Sequence, residues 1–346
     1  MRVFVPWVLA AVCLTSPLSS PWAQDAADPF QSVIPKPNRP PPPPRVAPQR
    51  WYPEPAPAPV RRPYAGPSAP VPQAAPADPA LAAYARAVSL ARGGQLDPAL
   101  REMEVAIKAN SREPLYYKVR GNIYFNKGDY SHAIDDYERA IKYNAGDVEL
   151  YQHRGLAYFY YKGQYHRAIQ DFTQAIQLSP NDPENYKSRG IAHFYEKGGY
   201  DLAIQDFDQV LRLNPRDVEM YRTRGSAWLN KRQYDRAAQD FDQAYRLNPK
   251  DMESLRNRGI AYANLRQYDV ALRDLNAVLG ATPSDAAAWF SRGSVYRLMG
   301  QQDRAAADFA QAKALDPSLR IPPPLSAPGQ AQTPGFGSGF GGWRRR

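Results

Sequence analysis

The sequence has few residues of the kinds that enzymes use as nucleophiles or metal ligands. The 346-residue chain contains one cysteine and four histidines. The histidines include no pair at the spacing of metal ligands on one helix; they are His132, His153, His166 and His193. There is also no glycine-rich phosphate-binding loop and no nucleophile elbow. We therefore expect no catalytic residue, no bound metal and no cofactor.

Long apolar runs are also scarce, and the mean hydropathy is −0.60. One run, over residues 3–14, follows Met1-Arg2, contains Pro6 and precedes a small residue at Ala23. It is shorter than the roughly 20 residues of a membrane-spanning helix, so it predicts a secretory signal peptide over 1–23. An uncleaved anchor is the alternative. Cys13 lies inside this segment, and a mature chain without cysteine suits an oxidising compartment. We expect export to the periplasm or cell envelope.

Proline and positive charge are unevenly distributed. Residues 24–79 are rich in proline and predict a disordered linker, and residues 320–346 predict a flexible basic tail rich in proline and glycine. The net charge is +10. Between them, residues 80–319 hold 33 Lys and Arg against 30 Asp and Glu, a difference of only +3. The basic extensions are expected to make weak contacts with anionic envelope components.

An Arg-Gly dipeptide recurs through the middle of the chain at a period of 34 or 35 residues. The glycines are Gly121, Gly155, Gly190, Gly225, Gly259 and Gly293. A large residue stands four before each glycine, a mostly aromatic residue three after it, an alanine 12 or 13 after it and a further large apolar residue four beyond the alanine. A proline follows the second apolar stretch of most repeats, and an aspartate then precedes the first apolar stretch of the next repeat. This period predicts an array of helical hairpins that bury their apolar faces only by stacking.

This pattern resembles the tetratricopeptide repeat. A seventh, degenerate copy with Ala87 in place of the glycine precedes the six. The resemblance implies an all-α, right-handed α-solenoid over residues 80–319. The repeats lie near 80–113, 114–147, 148–182, 183–217, 218–251, 252–285 and 286–319, and we call them units 1 to 7. The first helices of the units would line a concave groove that binds extended or helical segments of partner proteins.

An arginine precedes each of the six glycines, and an acidic residue precedes the large apolar residue of each second helix. In an antiparallel hairpin these positions should face each other, so they predict structural ion pairs that fix the register of the two helices. The six pairs are Arg120 with Asp136, Arg154 with Asp171, Arg189 with Asp206, Arg224 with Asp240, Arg258 with Asp274 and Arg292 with Asp308.

The resemblance also places two groups of residues in the groove. Three before the glycine, four of six units carry a basic residue, and the alternative to a partner-binding role is pairing with the glutamate three residues earlier on the same helix. Four and five residues after the glycine, units 2 to 4 carry aromatic residues, for which packing between neighbouring units is the alternative. The candidate partner-binding residues are Lys118, Asn122, Phe125, Phe159, Tyr160, Lys187, Phe194, Tyr195, Arg222 and Arg256.

Together these observations predict a non-catalytic, exported protein-interaction scaffold of the cell envelope, present as a monomer. An envelope glycan-binding module or an accessory subunit of a cell-wall enzyme is the alternative, and nucleic-acid binding would require that the chain is not exported. The sequence after Pro317 is too short for a capping helix. We expect Leu319, Ile321 and Leu325 to cover the last helix instead.

Overall fold

The computed structural model describes residues 78–321. The predicted signal peptide, nearly all of the linker and most of the basic tail lie outside the described residues. Within the described part there are fourteen α-helices and no strand: α1 (Pro79–Arg92), α2 (Leu96–Ala109), α3 (Pro114–Lys127), α4 (Tyr130–Tyr143), α5 (Val148–Tyr160), α6 (Tyr165–Leu178), α7 (Pro183–Tyr195), α8 (Tyr200–Leu213), α9 (Val218–Asn230), α10 (Tyr234–Leu247), α11 (Met252–Asn264), α12 (Tyr268–Ala281), α13 (Ala286–Leu298) and α14 (Gln302–Leu315).

Each odd-numbered helix packs against the following even-numbered helix, and each hairpin packs against the next. The fold is therefore the expected all-α solenoid of seven helical hairpins. None of the described helices is both long enough and apolar enough to cross a membrane.

Aspartate side chains begin most of the odd-numbered helices. In five consecutive units an N-cap carboxylate accepts a hydrogen bond from the second or third backbone N–H of the helix, as expected for residues that cap free N–H groups. These N-caps are Asp147, Asp182, Asp217, Asp251 and Asp285. The even-numbered helices end two residues before a proline in units 3 to 7, which stops each helix where the next unit must begin.

The repeated glycine lets the two helices of a hairpin approach closely. A Cβ atom added at Gly121 would lie 2.7 Å from Cε1 of Tyr137, and one added at Gly190 would lie 2.6 Å from Cε1 of Phe207. Gly259 faces the smaller Leu275, and there the nearest atom would be 3.2 Å away. The recurring glycine of the first helix and the recurring ring of the second helix therefore pack directly against each other.

The last helix is covered only in part by the predicted residues. Leu319 packs against the apolar cluster of Phe290, Ala305, Phe309 and Ala312. Ile321, by contrast, is 37% exposed. Leu319 therefore covers the last hairpin as predicted, Ile321 stays exposed, and Leu325 lies outside the described residues.

Candidate functional site

In the structure, each of the six predicted arginine and aspartate pairs is joined by two hydrogen bonds. Arg120 donates from Nε and Nη2 to the two carboxylate oxygens of Asp136 at 2.8 and 2.7 Å. The other five pairs have the same bidentate geometry, with distances of 2.6 to 3.0 Å. The six aspartate side chains are only 3–8% exposed. Each pair therefore links the two helices of one unit.

From unit 4 onward the same arginine also reaches the unit before it. Nη1 of Arg224 donates to Asp208 of α8 at 2.5 Å, and Nη1 of Arg258 donates to Asp242 of α10 at 2.7 Å. Arg189 and Arg292 make the equivalent bond to neutral residues, Thr173 and Asn276. Each of these arginines therefore holds three helices together, a role that the sequence offsets alone did not indicate.

Burial is the largest influence on the pKa of three of the paired carboxylates. Desolvation raises the pKa of Asp136, Asp171 and Asp240 above the ordinary value, and the paired arginine opposes that rise. The bond to the carboxylate raises the pKa of Arg120. In a buried pair, the attraction between the charges is largely offset by their desolvation. Such a pair fixes the relative position of the two helices more than it raises the free energy of unfolding.

The basic residues three before each glycine are also paired, but not with the glutamate of their own helix. Lys118 of α3 lies 2.9 Å from Asp147 and 2.5 Å from Glu149, both at the start of α5. The same forward contact recurs in the later units and joins Lys187 to Glu219, Arg222 to Glu253 and Arg256 to Asp285. Gln152 makes the neutral equivalent, donating to Asp182 and Asn185. The basic residues are thus paired within the protein, which was the alternative to a partner-binding role, but their partners lie at the start of the next odd-numbered helix and not on their own helix.

We call this row of residues, at the N-terminal ends of the groove-lining helices, the inner ladder. Over α3 to α13 it contains ten carboxylates, at the N-cap and at the position six before the glycine, against four cations three before the glycine. The carboxylates are Glu113, Asp147, Glu149, Asp182, Glu184, Asp217, Glu219, Asp251, Glu253 and Asp285, and the cations are Lys118, Lys187, Arg222 and Arg256. The difference is six negative charges. The row that contains the predicted basic residues is therefore net acidic, because the N-cap carboxylates and the glutamates six before the glycine outnumber the cations.

Glu184 is an exposed inner-ladder acid that forms no salt bridge within the described residues. Desolvation raises the pKa of Glu184, Lys187 lowers it, and Asp182, Glu219 and Asp217 raise it further. Three of the four charged groups that act on Glu184 are therefore negative.

Three of the predicted partner-binding aromatics lie in the core. Phe125, Phe159 and Phe194 are 1%, 2% and 5% exposed. Each packs against the tyrosine that begins the next helix of its own hairpin: Phe125 on Tyr130, Phe159 on Tyr165 and Phe194 on Tyr200. These phenylalanines offer no surface to a partner, because the recurring tyrosine at the start of each even-numbered helix covers them.

Tyr160 and Tyr195 lie between units. The Tyr160 ring stacks on Tyr130 of the preceding unit at 5.6 Å, and the Tyr195 ring stacks on Tyr165 at 5.8 Å. Both tyrosines are only partly buried. These two aromatic residues therefore pack between neighbouring units, which was the alternative given by the sequence. Both remain partly exposed.

Two asparagines of the odd-numbered helices lie in the interior of the protein. Asn122 is fully buried, and its Oδ1 accepts a hydrogen bond of 2.8 Å from the Tyr137 hydroxyl. Asn257 on α11 is also fully buried, but neither Nδ2 nor Oδ1 has a hydrogen-bond partner in the described part of the chain. Asn122 is therefore a structural residue in this conformation, whereas Asn257 was not predicted and keeps a donor and an acceptor unused.

The described residues contain no group of three or more His, Cys, Asp or Glu side chains that could hold a metal ion. His153 packs on the Tyr137 ring at a centroid distance of 5.9 Å. Burial lowers the pKa of His193, which replaces an aromatic residue of the repeat. These two histidines act as packing residues.

Comparison with known proteins agrees with the geometry. Models described as tetratricopeptide repeat match residues 192–251, 230–288 and 286–319, and a model described as TPR repeat matches 121–160 and 158–194. No curated protein matches the chain. Proteins built from these repeats generally bind protein partners and are typically non-catalytic scaffolds.

Two solved structures show the same fold at low sequence identity. A tetratricopeptide repeat protein from Parabacteroides merdae is 21% identical with a TM-score of 0.53, and the match covers 69% of this chain and 93% of the other. The C-terminal part of a TPR repeat-containing protein from Cytophaga hutchinsonii is 22% identical with a TM-score of 0.57, covering 68% of this chain and 96% of the other. The family matches together span 121–319, more than half of the sequence, and the chain belongs to the tetratricopeptide repeat family.

Proposed function

We propose that this protein is a non-catalytic scaffold of the cell envelope that binds extended or helical segments of partner proteins in its groove. The observation that carries the proposal is the inner ladder. It runs without interruption from α3 to α13, and each of its cations is already used to hold the next unit in place. A continuous, pre-ordered surface of this kind binds a partner with little further loss of conformational freedom.

The charge of the ladder sets the class of partner. With four cations against ten carboxylates, the potential along the inner ladder is negative, and a segment that carries Lys or Arg is favoured both in its rate of encounter and in its orientation. A partner with an acidic terminus is disfavoured for the same reason.

The two alternatives find less support. A glycan-binding surface would present aromatic faces to solvent, yet Phe125, Phe159 and Phe194 are buried. Nucleic-acid binding would use a basic groove to neutralise phosphates, and the inner ladder has the opposite sign.

Export rests on the sequence over 1–23 and on the absence of cysteine after Cys13. It is tested by fractionating the native host and measuring the intact mass of the mature chain. We expect an envelope fraction and a mass that lacks the first 23 or so residues. A full-length chain in the cytoplasm would contradict export.

The groove is tested by site-specific photo-cross-linking in the native host. A photoreactive amino acid at Ile191, on the groove-lining helix α7, is expected to capture a partner. The same amino acid at Leu178, which is 44% exposed at the end of α6, serves as the matched control. Glu184→Lys should reduce capture at Ile191, because it reverses the charge of a carboxylate that forms no salt bridge within the described residues. Capture from Leu178 alone, or capture that Glu184→Lys leaves unchanged, would place the binding surface elsewhere.

A further inference from the structure

The position one after the repeated glycine distinguishes units 3 and 4 from the rest of the described array. Leu156 and Ile191 occupy it there and are partly exposed, whereas the residue at this position is buried in each of the other five units. Those buried residues are Val88, Asn122, Ser226, Ile260 and Ser294. Tyr160 and Tyr195, one turn further along the same two helices, are also partly exposed. We call Leu156, Tyr160, Ile191 and Tyr195 the groove patch.

One side of the groove patch is acidic. Glu184 lies seven residues before Ile191 on α7, so the two side chains share a face of the helix and are about 10 Å apart along its axis. Glu184 is exposed and forms no salt bridge within the described residues. Lys187 lies between them on this face and is paired with Glu219 of the next unit. A ligand of the patch that carries a positive charge is therefore favoured beside Glu184.

One segment outside the described residues has the matching chemistry. Residues 39–45 read Arg-Pro-Pro-Pro-Pro-Pro-Arg. A run of prolines favours the polyproline II helix, which has three residues per turn and rises about 3.1 Å per residue. In that helix Pro41 and Pro44 lie on the same side, about 9 Å apart, and Arg45 follows directly.

The spacing of these prolines fits the groove patch. The Phe159 ring contacts both Tyr160 and Tyr195, at centroid distances of 5.4 and 5.6 Å, which places the two tyrosine rings no more than about 11 Å apart. One proline can therefore lie on each tyrosine. Grooves lined by aromatic residues bind polyproline II helices in this way, and because such a helix is already ordered, little conformational freedom is lost.

The segment can also reach the patch. The 32 residues 46–77 connect it to Asp78, the first described residue, and span about 100 Å as a polyproline II helix. Three units separate α1 from α7, which is about 30 Å at ordinary helix spacing. A tether of this length holds the segment at an effective concentration of up to about 1 mM, so a weak contact is enough to populate the bound state.

We propose that residues 39–45 bind the groove patch of the same molecule as a polyproline II helix. Pro41 and Pro44 pack on the two exposed tyrosines of the patch, and Arg45 pairs with Glu184. This inference rests on the groove being the binding surface of the proposed function, and it makes the proline-rich segment an internal competitor that a basic partner segment must displace.

The test uses the chain as purified from the native host, with a photoreactive amino acid in place of Val46, next to Arg45. Cross-linked peptides are identified by mass spectrometry after irradiation at low salt and low protein concentration. We expect cross-links to α5 or α7 in a species that migrates as a monomer. Replacing Pro41 and Pro44 by glycine should lower the yield by about threefold or more, because the preformed helix is lost.

A charge reversal tests the assigned ion pair. Arg45→Glu and Glu184→Lys should each lower the yield by about threefold or more, and the two changes together should restore most of it. Arg61→Glu, in the connecting residues, and Glu104→Lys, at an exposed acid on α2, are the matched controls and should leave the yield unchanged. Circular dichroism verifies that the helices of Glu184→Lys are intact. The substitutions within residues 39–45 lie outside the solenoid and keep the test valid if that variant does not fold.

Absence of cross-links to α5 and α7, or a yield that Arg45→Glu and the proline substitutions leave unchanged, would overturn the proposal. A double charge reversal that restores nothing would do so as well, and a cross-linked dimer would assign the patch to the segment of a second copy instead. If a partner is still captured at Ile191 while these cross-links are absent, the inference about the segment fails and the proposed function stands. Cross-links without capture of any partner would leave the segment as the ligand of the groove and remove the proposed function.

Discussion

Loss of the arginine in one hairpin should leave a buried carboxylate without a counter-charge, and Arg224→Leu is the sharpest case. Arg224 donates to Asp240 at 2.8 and 2.6 Å, and the Asp240 side chain is 8% exposed. Breaking a buried pair by removing one partner costs about 3 to 5 kcal/mol, mainly because the remaining charge stays desolvated. The second contact, to Asp208, adds little to this loss, since that side chain is 54% exposed.

The matched variants separate the pair from the rest of the arginine. Replacing both Arg224 and Asp240 by leucine removes the charges together and should cost clearly less than the single change. Arg86→Leu in unit 1 is the control, because that arginine is 55% exposed and its partner is Glu102. We expect only a small loss there. Urea denaturation followed by circular dichroism measures all three.

The pH dependence supplies a second readout. Without Arg224, burial alone acts on the already raised pKa of Asp240, so the folded chain binds a proton more tightly than the unfolded chain does. A carboxyl with a raised pKa in the folded state gains stability as the pH falls. The deficit of Arg224→Leu should therefore shrink between pH 7 and pH 4. Equal losses for the single and double variants, or a deficit that grows on acidification, would refute the reasoning.

Three further predictions follow from the packing and charge of the groove-lining helices. Glu184→Gln should raise the melting temperature at pH 7, because the raised pKa of Glu184 means that its ionised form opposes folding, and the gain should vanish below about pH 4; a gain that is constant with pH would contradict this. Gly190→Ala should destabilise the fold by about 1 to 3 kcal/mol, because the new Cβ would lie 2.6 Å from Phe207. Gly259→Ala should be close to neutral, since its nearest contact is 3.2 Å and alanine favours the helix by about 1 kcal/mol; similar urea midpoints for the two variants would refute the close-approach argument. Asn257→Leu should stabilise the solenoid by about 1 to 2 kcal/mol, because it removes a buried amide without partners, and a loss of stability would show that the amide is paired.

The fold of this chain could be predicted from the sequence because the residues that define a hairpin recur at the same positions in each unit. Glycine, the facing ring, the N-cap aspartate and the final proline all act within one hairpin or at its ends. The arginine and acid positions could likewise be matched from offsets, since antiparallel helices place them opposite each other.

Contacts between units were harder to foresee. Whether Lys187 turns to Glu184 on its own helix or to Glu219 on the next depends on how the hairpins stack, and the sequence does not contain that angle explicitly. The burial of Phe159 depends on Tyr165, a residue that recurs at the start of the second helix and was visible in the sequence without its role being clear. The unpaired amide of Asn257 has no sequence signal, because polarity at that position varies from unit to unit.

The contacts between units recur at the same positions, so the units in the middle of the array are interchangeable with one another. If residues 218–251 were deleted, Asp217 would stand before Met252 and could cap α11 in place of Asp251. Lys187 would meet Glu253 instead of Glu219, and Arg258 would find Asp208 where it now bonds Asp242. The array can therefore gain or lose a whole unit by recombination without a new interface having to evolve. Its length, and with it the length of the segment that it binds, can change faster than its chemistry.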